Sequence, residues 1–197
     1  MNFILASASP RRREILTHLG LPFTVRTADA DETSDERRGE VLVEQLAARK
    51  AVAVRDALAA EGKLTPDTVI LAADTVVVSP SGDILGKPRD PDHARRMLRE
   101  LSDQTHRVIS GVAVLMDGRL ERAHEITEVC FGHLSDAIID RYVASGEPMD
   151  KAGAYGIQDT AALWISSIRG DYFHVGGPPV HRLELLLNSH FNLSLWG

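Results

Sequence analysis

Hydrophobic and polar positions divide the chain into short strands and amphipathic helices. Residues 2–6 read as a short buried strand, which Ser7 to Pro10 breaks. A helix is expected from near Pro10 to Leu19, with Gly20 as its cap. Phe23 and Val25 begin a second short strand, and residues 27–40 are polar and acidic, the pattern of a loop. Residues 41–59 carry the clearest helical period, with Val41, Ala48 and Val52 among apolar positions spaced by three and four, and Gly62 ends it. Residues 68–78 are almost continuously apolar and β-branched, as in a central strand buried on both faces. Asp74 stands inside that run, where a carboxylate is costly unless paired or coordinated.

Further along, residues 82–91 form an expected loop around Gly86-Lys87-Pro88, and residues 93–101 a short amphipathic helix. Residues 106–115 and 124–131 alternate as the arms of a hairpin about Asp117-Gly118. Residues 135–144 read as a helix capped by Ser135, and residues 147–160 as a structured loop containing Gly153 and Gly156. A strand over 161–168, a loop over 170–179 and a final helix over 180–187 complete the pattern. Strands and helices intermix throughout, which predicts an α/β or α+β layered fold in one domain spanning residues 1–197.

Composition narrows the classes. The chain is 44% hydrophobic and 25% charged, an ordinary globular balance. A net charge of −6 argues against broad nucleic-acid binding and predicts no stable nucleic-acid partner. It leaves room for a small anion held by a local arginine cluster. No apolar run is long enough to span a membrane, and the basic run of the first segment follows its apolar stretch, opposite to a secretory signal. Cys130 is the only cysteine, so an intrachain disulfide is excluded; it is expected to be a small buried residue of a strand in a cytoplasmic protein.

Five places could carry chemistry. In Ser7-Ala8-Ser9-Pro10-Arg11-Arg12-Arg13 a strand gives way to a helix start, whose free N–H groups suit an anion. Consecutive arginines there oppose the helix dipole unless an anion compensates, so phosphate binding by Arg11 and Arg12 is favoured over a solvated basic turn, with Arg13 the weakest member. Asp29, Asp31 and Glu32 form an acidic loop that is either simply solvated or supplies a magnesium ligand. Asp74 could ligate a metal or activate water, and Thr75 beside it could share a ligand if a turn at the strand end brought both to one side. Only four lysines occur, among them Lys50, on a helix face that is ordinarily solvated, and Lys87, in a turn fixed by Gly86 and Pro88. The run 150–158 has small residues that admit a close ligand and ends in Gln158, an ordinary loop glutamine or a reader of a base edge. No zinc-protease histidine pattern, P-loop or nucleophile-elbow motif is present.

Taken in order, SASPRRR, LAARKA, LAADTVV, GKPRD, THRVISG, GEPMDKAGAYGIQ and VGGPPVHRL resemble the Maf family of nucleotide pyrophosphatases, also described as septum formation inhibitors. The resemblance covers essentially the whole chain. It implies a mixed central sheet flanked by helices, with a cleft between two lobes, similar to inosine triphosphate pyrophosphatase. It implies that Glu32, Lys50, Asp74 and Lys87 act in catalysis, that Ser7, Arg11, Arg12, Thr75 and Gln158 bind substrate, and that Glu32 and Asp74 hold Mg²⁺ or another divalent ion such as Mn²⁺. It further implies that Asp74 is the proton acceptor and that Arg11, Thr75 and Gln158 bear on specificity. The DKAGAYGIQ run is similar to the branch acting on dTTP and UTP, and unlike the D-C-A-G-S-F-like loop of the branch acting on 7-methyl-GTP. Where relatives have N-V-V-G-L-P, this chain has His174-Val175-Gly176-Gly177-Pro178-Pro179, a departure that could alter substrate range. A homodimer is the expected assembly. The rival expectations are a pyrophosphatase for modified nucleotides and a nucleotide-dependent regulator of septation.

Overall fold

Side chains alternate across each strand, and that alternation decides which helix every strand meets. In the computed structural model, which describes residues 1–196, the strands are β1 (Asn2–Leu5), β2 (Phe23–Val25), β3 (Thr68–Val78), β4 (Ile84–Leu85), β5 (Thr105–Met116), β6 (Arg119–Phe131) and β7 (Ile165–Arg169). The helices are α1 (Pro10–His18), α2 (Gly39–Ala60), α3 (Pro91–Leu101), α4 (Asp136–Ala144), α5 (Tyr172–Gly176) and α6 (Val180–Leu186), so the fold is mixed α/β. The chain divides into two compact units, the first made of Met1–Asp74, Ser110–Glu125 and the residues from Gly177 on, the second of Thr75–Ile109 and Ile126–Gly176. No helix among the described residues is long and apolar enough to cross a membrane.

In the first unit β1 pairs in parallel with both β2 and β3, Phe3 lying opposite Phe23 and Val69. Strands β5 and β6 continue the sheet on the β3 side. Phe3, Leu5, Val69, Leu71, Ala73, Val112 and Val114 point to one face, where Leu16 of α1 and Leu183 and Leu186 of α6 cover them. Ile4, Ile70, Ala72, Ala113 and Leu115 point to the other, against Ala47, Ala51, Val54 and Leu58 of α2. Burial on both faces explains the unbroken apolar run of β3. The small alanines of α2 bring its backbone close. A Cβ placed on Gly111 of β5 would stand 2.5 Å from the carbonyl carbon and oxygen of Val43.

In the second unit Ala94, Met97, Leu98 and Leu101 of α3 and Ile139, Tyr142 and Val143 of α4 share a core with Val77, Val108, Val129 and Phe131. Proline and cap residues set the helix starts. Pro91 opens α3 after Asp90, whose carboxylate accepts from the His93 N–H at 2.7 Å, and the Ser135 hydroxyl accepts from the Ile138 N–H at the start of α4. Arg95–Asp140 and Arg99–Asp136 join the exposed sides of α3 and α4, both at 2.7 Å. Such exposed pairs contribute little beside the apolar packing beneath them.

The hairpin turn at Asp117-Gly118 is as expected, with φ of 48° and 76°, the two left-handed residues of a two-residue hairpin. Several expectations are corrected. β6 starts at Arg119 rather than at 124, because its first residues pair while carrying charged side chains. The loop over 82–91 contains β4, antiparallel to β3. Residues Thr160–Trp164 form a 3-10 turn, so the strand expected from 161 begins at Ile165, where pairing with Phe131 starts. The loop over 170–179 contains α5, pinned by the buried His174, whose Nε2 lies 2.7 Å from the Thr127 hydroxyl. After α6 the chain continues as a π-helical turn, Leu187–Phe191. Cys130 is partly exposed rather than buried.

Gly111→Ala should destabilise the protein by about 1–3 kcal/mol, since the added methyl would meet the backbone of α2, which cannot rotate aside. Urea unfolding checks this, and an unchanged midpoint would contradict the close approach.

Candidate active site

Residues 70, 72 and 74 of β3 face α2, so the one carboxylate in the strand is delivered to the helix side of the sheet. There Lys50 of α2 meets it. The Lys50 Nζ stands 2.5 Å from Asp74 Oδ1 and 3.0 Å from Glu32 Oε1. The aliphatic stem of Lys50 is covered while its ammonium closes the pair; its side chain is 20% exposed and that of Asp74 is 13% exposed. Lys50 is therefore no solvated surface lysine.

Glu32 reaches this position because its loop is held. The guanidinium of Arg49 donates to the carbonyls of Asp31 and Thr33 at 3.0 and 2.7 Å, gripping the residues on both sides of Glu32. Asp31 turns back on the loop and accepts from the Thr33 N–H and hydroxyl, bonds that hold its carboxyl below the ordinary aspartate pKa. Asp29 is exposed. Of the three candidate acids Asp29, Asp31 and Glu32, Glu32 is thus the one brought to Lys50. The residue pattern assigns Arg49 no role; its place directly before Lys50 is the available signal.

Arg12 approaches the same strand from α1. Its Nη1 donates to the Ala73 carbonyl at 2.7 Å and to the Ser7 hydroxyl at 3.2 Å. Burial draws the guanidinium below its usual pKa; Asp74 opposes that shift, Arg11 adds to it, and Glu32 opposes it. No side chain caps α1, and its first turn carries no acid, only Arg11, Arg12 and Arg13 after Pro10. Ser7, Arg11, Arg12, Glu32, Lys50 and Asp74 form one neighbourhood of three cations and two carboxylates within the first unit. Arg13 points outward and is exposed.

Thr75, Lys87 and Gln158 belong to the second unit. β3 runs unbroken through Asp74 and Thr75, so no turn brings these side chains to one side; strand alternation sends them to opposite faces. Lys87 is exposed, and its turn is tied to the loop of residues 146–160 by a bond from the Gly153 N–H to the Gly86 carbonyl at 3.1 Å. Gly153 lies at φ 69° against Val77, a seat that only glycine fills without strain. Lys151, part of the candidate run 150–158 with no role of its own expected there, is the buried cation of this loop. It donates to the Glu147 carbonyl at 2.6 Å and to Asp150 at 2.8 Å, with Asp159 at 3.6 Å. Tyr155 anchors the other side of the loop, its hydroxyl 2.7 Å from His106 Nε2 in the core. Gln158 is exposed, and its carboxamide lies against Gly176.

Glu32 and Asp74 both aim an oxygen at the point occupied by the Lys50 ammonium, so they converge on a place suited to positive charge. No group of three or more histidine, cysteine, aspartate or glutamate side chains that could hold a metal is present among the described residues. The pair fits Mg²⁺ only as an ion that takes its other ligands from phosphate and water, its usual mode with nucleotides.

The sequence profile of the family described as Maf-like protein matches residues 2–190. The chain belongs to the Maf family. Among Maf relatives, one from Alkaliphilus oremlandii (strain OhILAs) is 47% identical over 98% of this chain and 97% of its own. One from Chromobacterium violaceum is 51% identical over 93% and 91%. Both are called dTTP/UTP pyrophosphatase. Among solved structures, the Ham1 protein of Staphylococcus aureus aligns with this Maf chain over 66% of its length and 72% of the Ham1 chain, with 12% identity and a TM-score of 0.48.

The loop anchor of the Maf chain at His106 makes a pH prediction. Burial pushes the imidazole down from 6.5 to about 4. Between these values the unfolded chain binds a proton that the folded chain refuses, so stability falls as pH drops through that window. The loss between pH 7 and pH 5 is about 2 kcal/mol from this residue. His106→Gln, which keeps a partner for Tyr155, should lose less stability over the same interval. Urea titrations at both pH values test it, and an equal loss in the two proteins would contradict it.

Proposed function

We propose that the chain hydrolyses dTTP and UTP between the alpha and beta phosphates, giving the monophosphate and pyrophosphate. The activity is the one for which its relatives are named. The observation that carries it to this chain is Lys50 bridging Glu32 and Asp74 next to the Arg11–Arg12 helix start. Carboxylates to manage a proton and cations to manage phosphate then lie in one neighbourhood, as direct hydrolysis requires.

In this reading Asp74 orients a water and takes its proton as the water oxygen bonds to the alpha phosphorus. The bond from that phosphorus to its bridging oxygen breaks, and pyrophosphate leaves with the bonding pair. Lys50 and Arg11 offset charge that builds on the phosphate oxygens. Arg12 does so as well while bracing the carbonyl of Ala73, which holds the strand just before Asp74. Lys87 supplies a further cation for the triphosphate. Mg²⁺, or Mn²⁺ in its place, would be held by Glu32 and Asp74 and would supply positive charge that polarises the substrate phosphate. Gln158 reads the pyrimidine: its carboxamide offers an acceptor for the ring N–H and a donor for the adjacent carbonyl. Thr75 contributes to the same specificity. Residues 1–197 act together as one enzyme domain, and a cytoplasmic homodimer completes the proposal, supported by the family resemblance and by a composition with one cysteine.

With dTTP or UTP and Mg²⁺, product chromatography should find monophosphate and pyrophosphate in equal amounts; stepwise phosphate release would overturn the reaction assigned. Asp74→Asn should fold and lose turnover by about 10²-fold or more. Near-normal turnover of that variant at saturating Mg²⁺ would remove Asp74 from the mechanism.

A further inference from the structure

Residues 26–38 carry neither helix nor strand, and residues 31–35 are exposed, so apolar burial does not hold that stretch. Polar bonds do. Within the loop Asp31 Oδ1 accepts from the Thr33 N–H at 2.9 Å and from its hydroxyl at 2.5 Å, which closes a short turn around Glu32. From outside the loop Arg49 Nη1 donates to the Asp31 carbonyl at 3.0 Å and to the Thr33 carbonyl at 2.7 Å. The backbone is therefore gripped on either side of Glu32, whose side chain is 61% exposed and ends 3.0 Å from Lys50 Nζ. Arg49 and Lys50 are successive residues of α2, about 100° apart around its axis. One takes the backbone of the loop, and the next takes the carboxylate that the loop carries. The Lys50 bond acts on the Glu32 side chain. The Arg49 bonds act on the chain that bears it, and they do not depend on what the carboxylate meets.

We propose that Arg49 is a positioning residue for the divalent ion: it holds Glu32 beside Asp74, and so it sets ion affinity rather than turnover at saturating ion. The inference rests on the reading of Glu32 and Asp74 as the residues that hold that ion. Asp74 needs no such help, because β3 fixes its place. Glu32 stands on an exposed loop and has its place from the bonds to Arg49 and Lys50. Charge and position make opposite demands at Arg49. A guanidinium beside an ion site repels a cation, so by its charge alone the removal of Arg49 would tighten ion binding. By position, its removal frees the loop, and the ion must then order Glu32 as it binds, which weakens binding. The sign of the change separates the two roles.

The test is a double-variant cycle on the full chain, read by Mn²⁺ binding. Free Mn²⁺ is followed by electron paramagnetic resonance in the presence of the α,β-methylene analogue of dTTP, for the parent, Arg49→Met, Arg49→Lys, Glu32→Gln and Arg49→Met with Glu32→Gln. Arg49→Met should weaken Mn²⁺ binding by roughly tenfold. Arg49→Lys, which keeps donors for the carbonyls, should recover part of the loss. In the Glu32→Gln background Arg49→Met should cost nothing further, because the group it positions no longer binds the ion. With dTTP, the Mg²⁺ concentration for half-maximal turnover should rise by the same factor in Arg49→Met, while kcat at saturating Mg²⁺ stays near the parent's. If Arg49→Met leaves Mn²⁺ binding unchanged or tightens it, or weakens it equally with and without Glu32, the inference is overturned while the reading of Glu32 stands. If Glu32→Gln itself binds Mn²⁺ as tightly as the parent, that reading falls and the inference with it.

Discussion

One buried-edge ammonium organises the candidate centre. Two carboxylates from separate parts of the chain, one on a loop and one in a strand, converge on Lys50. Without a cation between them they would repel, and Asp74 would be a nearly enclosed charge in an otherwise apolar strand. The lysine lets the chain fold with both acids in place. The same convergence of oxygens is what a phosphate-bound divalent ion needs. In the proposed reaction the divalent ion would be received at this same convergence. Arg12 complements it from α1 by holding the carbonyl of Ala73, just before the strand's one acidic residue.

Much of this frame was legible in the residue pattern, for physical reasons that differ from place to place. β3 could be bounded from its continuous β-branched run, because a strand covered on both faces has no polar positions to blur it. The same continuity made Asp74 conspicuous. The hairpin at Asp117-Gly118 was visible because only a few residue types accept two successive left-handed conformations. Lys50 was not legible as a partner of Asp74. Helical periodicity says which residues share a face, and says nothing of which strand that face will cover. The acidic loop was equally opaque, since the choice of Glu32 over Asp29 and Asp31 depends on Arg49 gripping two backbone carbonyls. Short elements failed where a few backbone bonds overrule composition, as in the 3-10 turn before Ile165 and the helix at Tyr172–Gly176.

The loop of residues 146–160 shows how a run of small residues becomes a defined surface. Gly153 fits against Val77, Gly156 against Lys151 and Asp159, and Lys151 collects a carbonyl and two carboxylates at the loop's centre. Tyr155 fastens the loop to His106 in the core. These contacts also hold the turn that carries Lys87, through the Gly153 N–H on the Gly86 carbonyl. They fix the backbone around the glutamine expected to recognise the base.

The proposed hydrolysis turns on attack of water at the alpha phosphorus. Hydrolysis of dTTP in ¹⁸O-labelled water, with mass analysis of both products, tests it most directly. Attack at the alpha phosphorus puts the label in the monophosphate and leaves the pyrophosphate unlabelled. Label in the pyrophosphate would place the attack on the beta phosphorus and contradict it.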